Sequence, residues 1–491
     1  MGKLYKKLCI YGQGDYYPYH MPGHKRHKMG DIPAEITNID VTETADFDNL
    51  HRPEGLLGEL QKRAAALYGA EESFYLINGS TCGILSAISA AVPVGGHILM
   101  ARNCHKSAYH AVYLRNLTVS YLYPPIMEEY DIYDAVTARQ VCEELEKNKD
   151  ISAVLIVSPT YEGRIANIRE IAETVHEKGI PLIVDEAHGA HLGFEEHFAE
   201  NSCRLGADIV IHSVHKTLPA LTQTALLHVN GSRINRNLLR RFLNIYQSSS
   251  PSYVLMASID DALEIVEKRG KELFCNFADS YLKMEAELSK CRRLKVVDAR
   301  DGHQDIGKLI ISTKKTELSG QRLYDILVQK YHLQLEMAAG SYCLAMFTAG
   351  DYPEAYERIV CALLEIDGML EGGELLEREY FSENRGLNER DMALEEVIPD
   401  RMDEIMRSGF LPEIPLAKAW DMNTELISLK DAAGRYAGEF VGLYPPGVPI
   451  LAPGEIISND IYRIIASYLR QGLTVQGIWR KKGLYEIRVL Q

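Results

Sequence analysis

The 491-residue chain contains no apolar run approaching the ~20 residues that a membrane-crossing helix requires. It has nine cysteines but no CxxC pair, and several of them sit in apolar contexts. That pattern excludes a disulfide framework and a zinc ribbon, and it predicts buried thiols in a reducing, cytoplasmic setting. An excess of positive charge is also lacking. The formal net charge of −15 argues against a nucleic-acid partner, and in bulk it favours cationic over anionic small molecules. The N-terminus, Met1 to Leu8, carries lysines without an apolar stretch, so no secretory signal is expected. His20, His24 and His27 have no Cys or acid at ligand spacing, and no metal site is expected. No GxxxxGK[ST] loop precedes Asp185-Glu186-Ala187-His188, which excludes a helicase box. There is no internal repeat and no low-complexity tract.

What is present is a set of apolar strands with chemically pointed ends. Ala207 to His212 is short and rich in β-branched residues, as a buried strand is, and it runs into Ser213-Val214-His215-Lys216-Thr217-Leu218. Desolvation at the end of such a strand lowers a lysine's pKa and makes its amine a nucleophile, which is Schiff-base chemistry. A lone lysine in a loop would be an ordinary surface charge. Two further stretches argue otherwise. Ile180 to Val184 is an apolar strand that ends in Asp185. Ser73 to Ile77 runs into Asn78-Gly79-Ser80-Thr81-Cys82-Gly83 and then an Ala-rich helix, an arrangement whose free N–H groups and helix dipole suit an anion. Together these supply the parts that hold pyridoxal phosphate (PLP). Gly79, Ser80 and Thr81 suit the phosphate, Asp185 the pyridinium nitrogen and Lys216 the aldehyde carbon. All would lie at the carboxyl ends of parallel strands, where open α/β sheets bind ligands.

The chain resembles the ornithine/lysine/arginine decarboxylase family, a branch of the aspartate-aminotransferase-like (fold-type I) PLP enzymes. Six motifs carry the resemblance, in family order: His20-Met21-Pro22-Gly23-His24-Lys25, Asn78 to Thr81, Arg102 to Ser107, Asp185 to His191, Ser213 to Leu218, and Tyr444-Pro445-Pro446-Gly447. The resemblance implies that His105 stacks on the cofactor ring and that Ala187 packs against it. It implies that Ser213 and His215 reach the phosphate and that Lys216 is the Schiff-base lysine. His188 is left to hydrogen-bond either cofactor or substrate carboxylate. Family members also share their sites across a homodimer, which would place Ser250 on the partner's phosphate; a plain Ser-rich turn before a helix accounts for the same residues. Members of the inducible type begin with a separate wing domain, for which this sequence has no room.

The expected architecture is an α/β fold in four parts. Residues 1–60 form a turn-rich, irregular lead-in, and 61–270 a PLP-binding major domain with a mostly parallel sheet. Residues 271–390 form a small α+β domain that ends in a charge-rich connector, and 391–491 a C-terminal domain. Within the small domain, Glu336 is read as a solvated strand-edge acid rather than a contact for a substrate cation. Its Pro-Gly turns would let the C-terminal domain close over the active-site mouth. The expected activity is PLP-dependent decarboxylation of arginine, lysine or ornithine, a carboxy-lyase step toward polyamines, with Lys216, Asp185 and His105 as the catalytic set. Another reaction of the same fold, such as transamination or aldol cleavage, and a catalytically idle regulatory protein remain the alternatives.

Overall fold

The computed structural model describes residues 1–15, 17–27, 30–44, 46–373, 414–481 and 483–491. Its centre is a seven-stranded sheet. The strands are β1 (Glu72–Leu76), β2 (His97–Ala101), β3 (Thr118–Leu122), β4 (Ile151–Val157), β5 (Leu182–Asp185), β6 (Ile209–His212) and β7 (Ala225–Val229). Their spatial order is β1-β7-β6-β5-β4-β2-β3. The inner strands are mostly apolar because helices cover both faces, and β2, β5, β6 and β7 are buried at every position.

The sheet is mostly parallel, as expected, with one strand reversed. β7 pairs antiparallel with both β6 and β1. Between β6 and β7 lies only the single helical turn Val214–Thr217, with no crossover helix to carry the chain back to the sheet's other end. β1 nonetheless points the same way as β2 to β6. The ends of β1, β2, β5 and β6, which lead to Gly79, His105, Asp185 and Lys216, therefore meet on one rim.

Two expected boundaries dissolve into helices. The lead-in is turn-rich in part but not wholly irregular: Lys3–Gln13 and Ala34–Ile39 are helical, and Leu4 and Leu8 are buried against the long helix Tyr253–Leu288. The i, i+4 pair was hidden among Gly, Pro, His and Tyr. Asp260 on the long helix accepts the Leu4 N–H at 2.8 Å, and its neighbour Asp261 accepts that of Gly2 at 2.7 Å. These carboxylates supply the cap that Gly2 cannot. The helix Tyr253–Leu288 also passes unbroken through the expected break at 270/271. A mid-helix glycine costs roughly 1 kcal/mol. Here Val266, Phe274, Phe277 and Tyr281 are buried on either side of Gly270 and offset that cost.

The small antiparallel sheet comprises Lys295–Val296, Lys308–Ser312, Tyr342–Met346 and Met337–Ala338. The C-terminal unit pairs Leu484–Leu490 with Thr424–Ser428 on one side and Ile478–Lys481 on the other, and packs them on the helix Asn459–Arg470. The expected charge-rich connector, from 374 onward, and the boundary at 390/391 lie outside the described residues. Among the described residues no helix is long and apolar enough to cross a membrane.

Under the sheet lies a buried polar chain. Glu186 accepts from the Ser202 N–H and hydroxyl and meets His212 Nε2 at 2.8 Å. His212 Nδ1 lies 3.0 Å from His228 Nε2, and His228 Nδ1 lies 2.6 Å from Ser73 Oγ. The Tyr68 ring packs 4.7 Å from both imidazoles. Burial pushes the Glu186 carboxyl up to about 8 and holds His212 near 3. Because the folded state keeps a proton on Glu186 that the unfolded chain releases, this stabilisation is complete below the ordinary carboxyl range and is lost as pH rises through about 8. Thermal denaturation followed from about pH 6 to about pH 9 should show a falling Tm. Glu186→Gln, which cannot ionise, should flatten that slope.

Candidate active site

Lys216 stands on the single turn Val214–Thr217, directly after β6. Its ammonium has been taken out of water, and that burial lowers its pKa; Asp185 and Glu336 act in the opposite direction. Asp185 ends the neighbouring strand β5 and is itself buried. Burial raises its carboxyl, while Lys216 and the Ala187 N–H, which donates to Oδ1 at 3.2 Å, lower it. Ala187 also accepts the Ser213 N–H at 3.3 Å, so the turns after β5 and β6 are stitched together.

His105 caps the helix Lys106–Arg115 and accepts the Ser107 N–H at Nδ1, 3.2 Å away. Burial, followed by the charges of Lys216 and Lys106, pushes its pKa down to about 4. The ring is therefore neutral, with its proton on Nε2, and presents an apolar face to the rim. His188 is buried between two lysines. Its Nε2 lies 3.1 Å from Lys216 Nζ, and its Nδ1 lies 2.7 Å from Lys308 Nζ.

The anion-binding parts are split. Gly79 takes φ +73°, donates its N–H to Gln223 O at 2.9 Å and opens the helix Gly79–Ala91, on which Asn78 places no side-chain cap. Ser80 is half-buried and Thr81 exposed at the helix start. Ser213 Oγ and Thr217 Oγ1, flanking the lysine turn, are buried hydroxyls with no protein partner among the described residues. Buried hydroxyls are almost always bonded. Two such atoms beside a desolvated lysine are what a pocket shaped for a polar, phosphorylated group would leave. PLP fits these residues.

His215 fits its expected role less well. Its Nδ1 lies 2.8 Å from the Thr224 carbonyl, which takes the proton of a neutral ring and leaves Nε2 as an acceptor that cannot donate to a phosphate. Ser250 is not part of the cluster within one chain: it is exposed, and its N–H bonds to Ser248 Oγ at 3.1 Å.

Three residues of the site were missed or underrated from sequence. Lys308 is fully buried at the start of a small-sheet strand, and burial pushes its pKa down to about 8. The signal was available, since a lysine heading the apolar run Leu309-Ile310-Ile311 is as anomalous as Lys216. Tyr161 packs edge-on against His188 at 4.8 Å, and its hydroxyl donates to Glu336. Glu336 was read as a solvated edge acid. It is exposed, yet it also faces both lysines and lines a cavity of about 150 Å³ with Gln321, Tyr324, Tyr444 and Thr474.

The C-terminal unit roofs the rim. Arg102, in the loop after β2, forms a buried ion pair with Glu455 at 2.9 Å and donates to Pro449 O and Ile450 O at 2.8 and 3.1 Å. This anchor brings the turn Tyr444-Pro445-Pro446-Gly447 onto His105. The Lys106 N–H donates to Gly447 O at 3.1 Å, and a Cβ on Gly447 would meet His105 Cδ2 at 3.2 Å. Gly447 also has φ +78°. Gly447→Ala should therefore displace the His105 ring and weaken PLP binding by about tenfold, for a stability loss of only about 1–2 kcal/mol. Cofactor titration by fluorescence quenching, beside thermal denaturation, separates the two effects.

Residues 2–319 match the family described as Orn/Lys/Arg decarboxylase, major domain, and residues 399–476 match Orn/Lys/Arg decarboxylase, C-terminal domain. The chain is similar to an arginine decarboxylase of Bacillus subtilis (strain 168), with 30% identity over 99% of this chain and 97% of that one. It is 32% identical to the uncharacterized protein YaaO of the same strain, over 96% and 95% of the two chains. In fold it is similar to the Francisella novicida lysine decarboxylase LdcF, with TM-score 0.81 and 18% identity over 100% of this chain and 81% of that one. A structure of SPT with PLP shares the fold over 65% of this chain and 77% of that one, with TM-score 0.52 and 14% identity.

Proposed function

The chain belongs to the Orn/Lys/Arg decarboxylase family, and from that premise we propose that it removes the α-carboxyl group of L-arginine with PLP held at Lys216. The observation that carries the reading is the half-buried, largely desolvated Lys216 amine, set among Asp185, His188 and the unpartnered hydroxyls of Ser213 and Thr217. Arginine is chosen because the relative named arginine decarboxylase is 30% identical and matched over 97% of its own length, whereas the inducible lysine decarboxylase of Escherichia coli (strain K12) is 23% identical and matched over 81% of its own. Glu336, at the wall of the adjoining cavity, is the acid placed for a guanidinium.

Ser213, Thr217 and the uncapped start of the helix Gly79–Ala91, with Ser80 and Thr81, would hold the phosphate. Asp185 would pair with the ring nitrogen, while Ala187 and neutral His105 would pack on the ring. When bound, PLP supplies the sink for the electron pair that the departing CO2 leaves behind. Asp185 keeps the negative charge that this sink requires, in a buried setting where it acts strongly. The Pro445-Pro446-Gly447 turn over His105 excludes water. Lys216 and His188 are the two groups placed to return a proton to the substrate's α-carbon.

The active unit is a homodimer on this reading. Tyr17, Tyr19, Met21 and Ile32 of the N-terminal segment are large apolar residues exposed in the single chain, and a partner subunit would cover them. Ser250, exposed here, would then serve the partner's phosphate.

The test is to incubate the protein with PLP and an equimolar mixture of L-arginine, L-lysine and L-ornithine, and to identify amines by mass spectrometry. Agmatine is the expected product. Cadaverine or putrescine in its place would reassign the substrate, and no amine from any of the three would overturn the reading. Lys216→Ala should abolish both turnover and the visible absorbance of bound cofactor. Asp185→Asn should lower kcat by at least about a hundredfold with an unchanged circular dichroism spectrum.

A further inference from the structure

His188 lies between Lys216 and Lys308, and the hydrogen-bond inventory of these three groups is over-determined. An ammonium has three donors and no acceptor, and a neutral imidazole has one donor and one acceptor. Two ammonium groups facing its two nitrogens would need two acceptors, which imidazole cannot provide. An imidazolium, with two donors and no acceptor, is worse still between two cations. One lysine must therefore be an uncharged amine that accepts from the imidazole N–H.

The surroundings decide which. Lys308 is the closer, at 2.7 Å against 3.1 Å, as a charge-assisted bond is. Three acids face it: Asp305, Glu336 and Glu162. Asp305 is buried, held ionised by His191, which lies 2.9 Å away, and by Lys308 itself. Glu162 is buried and bonded to the Tyr342 hydroxyl at 3.2 Å. Lys216 faces only Asp185 and Glu336, and Asp185 is the acid placed for the cofactor ring. His105 and His191 complete the titratable groups facing His188, and the Tyr161 ring closes its edge. Lys308 is also held from behind, because its carbonyl accepts the hydroxyl of buried Tyr281 at 3.2 Å.

We propose that Lys308 is a positioning residue: through His188 it fixes the imidazole proton on Nε2, and so holds Lys216 as the uncharged, nucleophilic amine. Lys308 donates to Nδ1, Nε2–H donates to Lys216 Nζ, and the Lys216 lone pair stays available. The depressed pKa of Lys216 is then set by a specific partner as well as by burial. The inference rests on the reading of Lys216 as the reactive amine, but its test needs neither cofactor nor turnover.

In the cofactor-free protein, trace acetylation with acetic anhydride across a pH series, followed by mass spectrometry of the Lys216 peptide, reports the fraction of free amine. Lys308→Met should raise the apparent pKa of Lys216 by about one unit, seen as about tenfold slower labelling at neutral pH. Lys308→Arg, which keeps a charged donor, should restore most of the rate. A direct charge effect of Lys308 would shift Lys216 in the same direction, so the cycle is completed in a His188→Phe background. There Lys308→Met should produce no further shift. A shift that persists at full size, or no shift in the first place, overturns the proposal. If Lys308→Met does not fold, 15N-histidine NMR of the unmodified protein decides, with the His188 signals identified by their loss in His188→Phe. A neutral ring protonated at Nε2 between about pH 6 and pH 8 is expected. Protonation at Nδ1, or at both nitrogens, overturns the proposal. Absence of decarboxylation with these results intact would instead count against the functional reading alone.

Discussion

The structure turns on one buried ion pair, Arg102 with Glu455, which are 2% and 1% exposed. Removing two charges from water is expensive, and their attraction repays it only when the geometry is good and the remaining donors are used. Here the guanidinium also bonds the Tyr109 hydroxyl and two carbonyls of the C-terminal unit. Tyr109 and Tyr121 lie within 5.6 Å of its charge. Such a pair tolerates little displacement, so it fixes the last eighty residues against the end of β2. His105 is three residues beyond Arg102, and Gly447 eight residues before Glu455. His105 and the turn over it are thus set by the same anchor.

Around that anchor the electrostatics are local and opposite to the bulk. The chain is acidic overall, yet its rim gathers Lys216, Lys308, Lys106 and two histidines that burial keeps neutral. Burial raises the Asp185 carboxyl, and Lys216 and the Ala187 N–H on its oxygen work against that rise. A phosphorylated anion with a cationic ring complements this arrangement; a bare basic amino acid does not. On the proposed reading, the substrate's own positive head would be met farther out, where Glu336 is exposed.

Much of this was legible because it is written in contiguous residues. Lys216 and Asp185 each end an apolar run, and the glycine-serine-threonine step sits between a strand and a helix. What escaped is set by residues distant in sequence. Nothing within Ala225–Val229 says that it runs antiparallel; the absence of a crossover helix decides it. Lys308 meets His188 across 120 residues, and its significance depends on a second lysine approaching from the other side. The N-terminal helix is stabilised by carboxylates some 250 residues away. The long helix was divided at Gly270 because local propensity counts the glycine and cannot count the aromatic side chains buried to either side. Ser250 is a different case, since one chain cannot supply the surface it would face.

The helix Tyr253–Leu288 has a further consequence. Its 36 residues span about 54 Å, and it carries attachments all along its length. The Tyr253 hydroxyl donates to Asp48 O near the lead-in. Asp260 bonds Leu4 and Arg63, Tyr281 holds the Lys308 carbonyl, and Glu285 accepts the Ala299 N–H. Adding or removing one residue turns everything beyond it by about 100°. No single such change between Asp260 and Tyr281 could keep both in place. The helix is thus a ruler with a fixed phase, and a change of length between those two residues would have to be compensated within the helix itself.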